Sequence, residues 1–137
     1  MNKSLAFALA SSLLTTAIVS AQVINWTPIP VDGDVRYFFD VSTFKKENNV
    51  VTFLQKVENQ KGLVGIFSGH RLTFIILVKY DCVNHLNQAG PHTDIIDTDT
   101  KAFISKEDNT WGSPHPILPG TIGEQIMEFV CSDNLFV

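Results

Sequence analysis

The stretch LTFIILVKYDC, residues 72–82, decides how this chain folds. It is rich in β-branched and aromatic side chains, the composition that fits a pleated, half-buried surface. Its even positions, Leu72, Phe74, Ile76, Val78 and Tyr80, are apolar throughout. Its odd positions run Thr73, Ile75, Leu77, Lys79 and Asp81, apolar only in the middle. Side chains alternate across a strand with period two, so this pattern predicts a central strand whose even face is the core. Continued one residue, the alternation puts Cys82 on that same face.

Working outward, Val35 to Asp40 (VRYFFD) and Val50 to Val57 (VVTFLQKV) read as further strands, the second entered through a turn at Asn48-Asn49. A short strand is expected around Lys101 to Ser105. Lys61 to Gly69 is open between edge strand and loop, because glycines interrupt its apolar residues. Asn87 to Thr100 is polar, and Gly90-Pro91 marks a turn within it. Near the C-terminus, Pro119-Gly120 breaks the chain and Thr121 precedes Glu124 by three residues, a capping box. Ile122, Ile126, Phe129 and Val130 then recur at helical spacing as one apolar stripe, and Cys131 ends the helix. The expected class is α+β: an antiparallel sheet with a C-terminal helix laid on one face.

The first residues, MNKSLAFALASSLLTTAIVSAQ, set the expected compartment. Lys3 precedes an apolar run over residues 5–19, and Val19-Ser20-Ala21 has the small residues a signal peptidase reads. That run is shorter than the roughly 20 residues a spanning helix needs. Residues 1–21 are therefore expected to be a signal peptide, leaving 22–137 as a single domain of 116 residues with no integral membrane segment. The net charge is −4, and losing Lys3 makes it one unit more negative. No basic cluster stands out, so nucleic acid is a poor partner. The expected location is outside the cytoplasm: periplasm, outer surface or secreted.

In an exported chain with two cysteines the first expectation is one bridge. Cys82 leaves the central strand on the face that the helix carrying Cys131 should cover, so a Cys82–Cys131 disulfide would join the two layers. Closing a loop of about 50 residues is worth about 4 kcal/mol on chain-entropy grounds. The competing readings are sharper in chemistry and poorer in pattern. A catalytic thiol would need a base assembled from a distant segment, whereas His85 lies three residues along. Cys82, His85, His92 and Cys131 as a zinc set match no finger or ribbon spacing. Asp94, Asp97 and Asp99 lack the glycine and closing glutamate of a calcium loop. Asp40 and Asp81 end strands, where aspartates accept backbone hydrogen bonds in turns. His70, His92 and His115 are scattered, and Ser68-Gly69-His70 has no nucleophile elbow around it. No phosphate loop, zinc-protease motif or dinucleotide fingerprint occurs. No enzyme and no cofactor are expected.

Taken together, Trp26, the run Tyr37-Phe38-Phe39-Asp40, the strand end Tyr80-Asp81-Cys82, Trp111, and Pro119 through Cys131 give the chain a family likeness. It resembles the surface-adhesin protein E family of small exported bacterial proteins over nearly all of residues 22–137. The resemblance implies a sheet of about six strands with a helix tied to it by the disulfide. It further implies adhesion to host extracellular-matrix proteins, in some cases as a dimer. The namesake carries a lipid anchor, and this chain has no cysteine at its cleavage site. The matching residues are structural, so they transfer the bridge and the core and not a binding site. The expected function is an exported binding module for a matrix or cell-envelope protein, with homodimerisation as one use of the apolar odd positions Ile75 and Leu77. The alternative is a periplasmic small-molecule or metal binder with the histidines as ligands.

Overall fold

The computed structural model describes residues 23–61, 70–108, 110–133 and 135. The expected signal peptide and nearly all of the Lys61–Gly69 stretch lie outside them. The strands are β1 (Trp26–Ile29), β2 (Arg36–Asp40), β3 (Lys45–Glu47), β4 (Val50–Lys61), β5 (Arg71–Asp81), β6 (Leu86–Asp97), β7 (Phe103–Asp108) and β8 (His115–Pro116). One helix follows, α1 (Ile122–Val130). All strand pairs are antiparallel, in the order β1-β2-β4-β5-β6-β7, with β3 added beside β4 and β8 beside β6. β5 is central, as its two-faced pattern requires.

The expectation of about six strands is corrected to an eight-stranded sheet among the described residues. The added β3 and β8 are three and two residues long, too short for any alternation to show. β3 is produced by the Asn48-Asn49 turn, where φ is 49° and 66°. Positive φ at both central residues gives a two-residue hairpin turn whose twist matches the strands it joins, and asparagine tolerates it best after glycine. β1 carries no strand signal of its own because Pro28 interrupts it, and proline is accommodated on an edge strand.

The larger correction concerns residues 87–100. No chain reversal occurs at Gly90-Pro91; β6 continues through them as one twelve-residue strand. The register on β5 passes from Ile76↔Thr93 to Val78↔Ala89, so three residues of β6 oppose Leu77 alone. Such a bulge absorbs the proline and bends the strand. Gly90 is required there: a Cβ would stand 2.6 Å from the Leu77 carbonyl oxygen and 2.9 Å from Leu77 Cβ. Gly90→Ala is expected to destabilise the domain by about 1–3 kcal/mol through overpacking against backbone that must shift. The midpoint of urea unfolding measures it, and an unchanged midpoint would refute the close approach.

The core lies between α1 and one face of the sheet. Ile29, Phe39, Val51, Phe53, Val78 and Tyr80 supply the sheet side, and Ile126, Met127 and Val130 the helix side. On the even face of β5, Val78 and Tyr80 are buried in this core and Ile76 packs against it, while Leu72 is buried farther along the strand. Phe39 meets Phe44, Phe53 and Phe129 edge-to-face with ring centroids 5.9–6.1 Å apart. Phe53 stacks on Tyr80 at 5.7 Å. At nine residues α1 is too short to persist alone in water, so packing and its ends must hold it. Thr121 Oγ1 accepts from the Glu124 N–H, and the Glu124 carboxylate reaches back to the Gly120 N–H, each at 3.3 Å. The second bond falls one residue before the position of the ordinary capping box. Gln125 fixes the helix laterally by accepting from the Asp32 N–H at 3.0 Å and donating to its carboxylate at 3.3 Å.

Candidate functional site

Most of the reactive-looking side chains are spent on structure. Cys82 and Cys131 are joined as a disulfide with Cα atoms 5.8 Å apart, so neither is a nucleophile or a thiolate ligand. His85 sits exposed in the turn after β5 with φ of 53°. Its carbonyl accepts from the Ile117 N–H at 2.8 Å. His70 lies before β5, 3.5 Å from the Asp97 carboxylate and mostly exposed, and His115 is exposed on β8. Among the described residues no three His, Cys, Asp or Glu side chains converge as a metal site would require. Ser68 and Gly69 lie outside the described residues.

The aspartates close turns. Asp40, 1 % exposed, caps a 3-10 turn over Val41–Thr43. It accepts from the Asn25 N–H at 3.0 Å, the Ser42 N–H at 3.1 Å and the Ser42 hydroxyl at 2.8 Å. Asp81 does the same beyond β5, accepting from the N–H groups of Val83 and Asn84 at 3.0 and 2.9 Å. Asp94 and Asp97 fall on opposite faces of β6, beside Ile75 and Leu72, which ends any shared calcium loop with Asp99.

Hydrogen bonds from Asn84, its backbone N–H first, hold the Asp81 carboxyl below the usual carboxylate range. The Thr100 N–H leads the same effect at Asp97. A carboxyl whose folded pKa is lowered stabilises the fold above its ordinary pKa, and that stability is lost as the pH falls through the folded value. Stability should therefore decline on acidification below about pH 4, and the double substitution Asp81→Asn, Asp97→Asn should flatten that decline. Urea midpoints between neutral pH and pH 2 test it; equal slopes in parent and variant would count against these two turns.

What the internal packing leaves over is the sheet face opposite α1. Cross-strand pairing sets its rows: Phe38, Lys56, Ile75 and Asp94 lie side by side on successive strands, as do Leu54 with Leu77 and Thr52 with Lys79 and Gln88. Ile75 and Leu77 are half-buried there among longer neighbours; the exposed large apolar side chains are Val23, Ile24, Val83, Phe103 and Leu118. Lys56 lies over Trp26 and Phe38, 5.0 and 4.4 Å from the ring centroids, and pairs with Glu58 at 3.0 Å. Lys79 lies 3.9 Å over Trp111. A cation over an aromatic face is worth about 0.5–1 kcal/mol at an exposed site and more where it is desolvated.

Around Lys79 the face hollows into a trough. One part, about 460 Å³, is lined by Lys45, Glu47, Asn48, Val50, Thr52 and Lys79. A second, about 150 Å³, continues from Val50 and Lys79 to Asp81, Leu86, Gln88 and Pro114. The loop carrying Trp111 is pinned against β6 by Gly112, whose N–H donates to Ala89 and whose carbonyl accepts from the Gln88 amide, both at 2.9 Å. The sequence offered little warning of this trough, because β3 and β6 contribute to it without any alternation of their own. The one visible signal was Trp111, a large aromatic in a polar, proline-flanked segment. No protein-family model, curated protein or solved structure matches the chain.

Proposed function

We propose that this chain is an exported, non-enzymatic binding module, adhesin-like, that recognises an extracellular-matrix or cell-envelope macromolecule. The observation carrying the proposal is the division of labour between the two faces of the sheet. One face is consumed by α1 and the disulfide, while the other presents Trp111, Lys56 and Lys79 and an open trough. Support for export comes from the bridge, which persists in oxidising compartments, and from the leading apolar segment. Among the described residues no helix is long and apolar enough to cross a membrane. Cys82 and Cys131 are consumed by the bridge, and Asp40, Asp81 and Asp97 accept backbone hydrogen bonds in turns, which favours binding over catalysis. The resemblance to the adhesin E family points the same way.

The test is capture on the immobilised chain from residue 22 onward, bridge intact, using purified matrix proteins and envelope extract. Retention of a protein partner, with or without self-association in sedimentation, is the expected outcome. A strict monomer that retains nothing would end this reading. Native mass measurement on the same sample reports on the alternative, since a bound metal or small molecule would show as added mass.

A further inference from the structure

We infer that the trough around Lys79 is a binding site for a neutral glycan chain, an inference that rests on the binding role proposed above and names its ligand class. The ionised groups lining the trough are Lys45, Glu47, Lys79 and Asp81, two of each sign. A site for nucleic acid or an anionic lipid needs a surplus of cations on one face, and here there is none. Between the charges lie only small apolar surfaces, from Val50, Leu86 and Pro114, too divided to hold an apolar helix or strand. A saccharide matches this mosaic. Each ring carries a rim of hydroxyls, every one both donor and acceptor, around patches of C–H that rest on apolar side chains.

Hydrogen-bonding capacity points to the same ligand. Asn48 offers two donors and an acceptor, Thr52 a hydroxyl, Lys45 and Glu47 a donor and an acceptor group of opposite charge. None of these four side chains spends a polar atom on another described residue. Gln88 is oriented by donating its amide to the Gly112 carbonyl, and Lys79 is oriented over Trp111. Asp81, in contrast, is committed to its turn and serves as a wall. Apart from Asn48 in the β3–β4 turn and Pro114 before β8, the lining residues come from β3, β4, β5 and β6, adjacent strands about 4.8 Å apart, so the trough runs about 14 Å across the sheet. That length and its openness suit a few linked rings lying across the strands better than one enclosed small molecule.

The chain from residue 22 onward, labelled, is applied to an array of neutral, sialylated and sulfated oligosaccharides, and affinities are then measured by calorimetry. Retention of neutral oligosaccharides is expected, weakened about 30-fold by Lys79→Met with Thr52→Val, which together remove two hydrogen-bonding groups. Should that pair of changes remove the thermal transition, Glu47→Ala on the exposed β3 hairpin, which removes an acceptor, supplies a weakening of affinity as the readout. Retention of anionic oligosaccharides only, of none, or an affinity untouched by these variants would overturn the assignment. Matrix proteins stripped of their glycans separate the two proposals. Capture that survives stripping sinks the glycan site and leaves the binding role standing; absence of capture before stripping sinks the binding role itself.

Discussion

Cys82→Ser is expected to lower the free energy of unfolding by about 2–5 kcal/mol, and Cys131→Ser by the same amount. The double substitution should cost no more than either one, because all three remove a single cross-link. The bridge matters this much for two reasons. It closes a loop over a sequence separation of 49, restricting the unfolded chain. It also clamps the C-terminal cap of a nine-residue helix to the end of the central strand, and that helix supplies Ile126, Met127 and Val130 to the core. The strand end is itself held, since the Cys82 N–H donates to the Asn49 carbonyl at 2.9 Å. Guanidinium unfolding of the three variants measures the effect. Clearly unequal single effects, or a double variant as costly as their sum, would mean the thiols act separately and the cross-link is not the source of stability.

Phe39→Ala should cost about 3–5 kcal/mol, while Phe38→Ala should cost about 1–2 kcal/mol. The two are neighbours in sequence and differ by which way the strand turns them. Phe39 is 2 % exposed and touches the rings of Phe44 just after the 3-10 turn, Phe53 on β4 and Phe129 on α1, so its removal leaves a cavity with three walls. Phe38 lies on the opposite face, half-buried beneath Lys56, where water fills the space it vacates. Denaturant midpoints at constant slope give both values. Equal losses would mean that the helix-covered face is not the dominant core.

Much of this arrangement is legible in the sequence. The alternation over residues 72–82 identifies the central strand, its buried face and the direction in which Cys82 departs. Thr121 and Glu124 mark the start of the helix, and the stripe ending at Cys131 marks its packed side. These features are local or periodic, and periodicity is what a one-sided core imprints on a chain. β6 was hidden for the opposite reason. Its residues 89–92, Ala-Gly-Pro-His, carry the composition of a turn, and only the neighbour decides that they form a bulge: Leu77 approaches so closely that glycine is required. β3 and β8 have no period to read, since a strand of two or three residues is specified by what it pairs with.

By itself, then, the sequence determined the two layers and the staple between them, because burial against a single partner layer leaves a repeating trace in the residues that make it. Only the tertiary structure decided the composition of the other face. The trough around Lys79 gathers Glu47, Thr52 and Gln88 from three strands, and puts Trp111 beneath the lysine. Those residues are spaced by strand register and by one bulge, quantities set between segments, so no stretch of the chain records them in its own pattern.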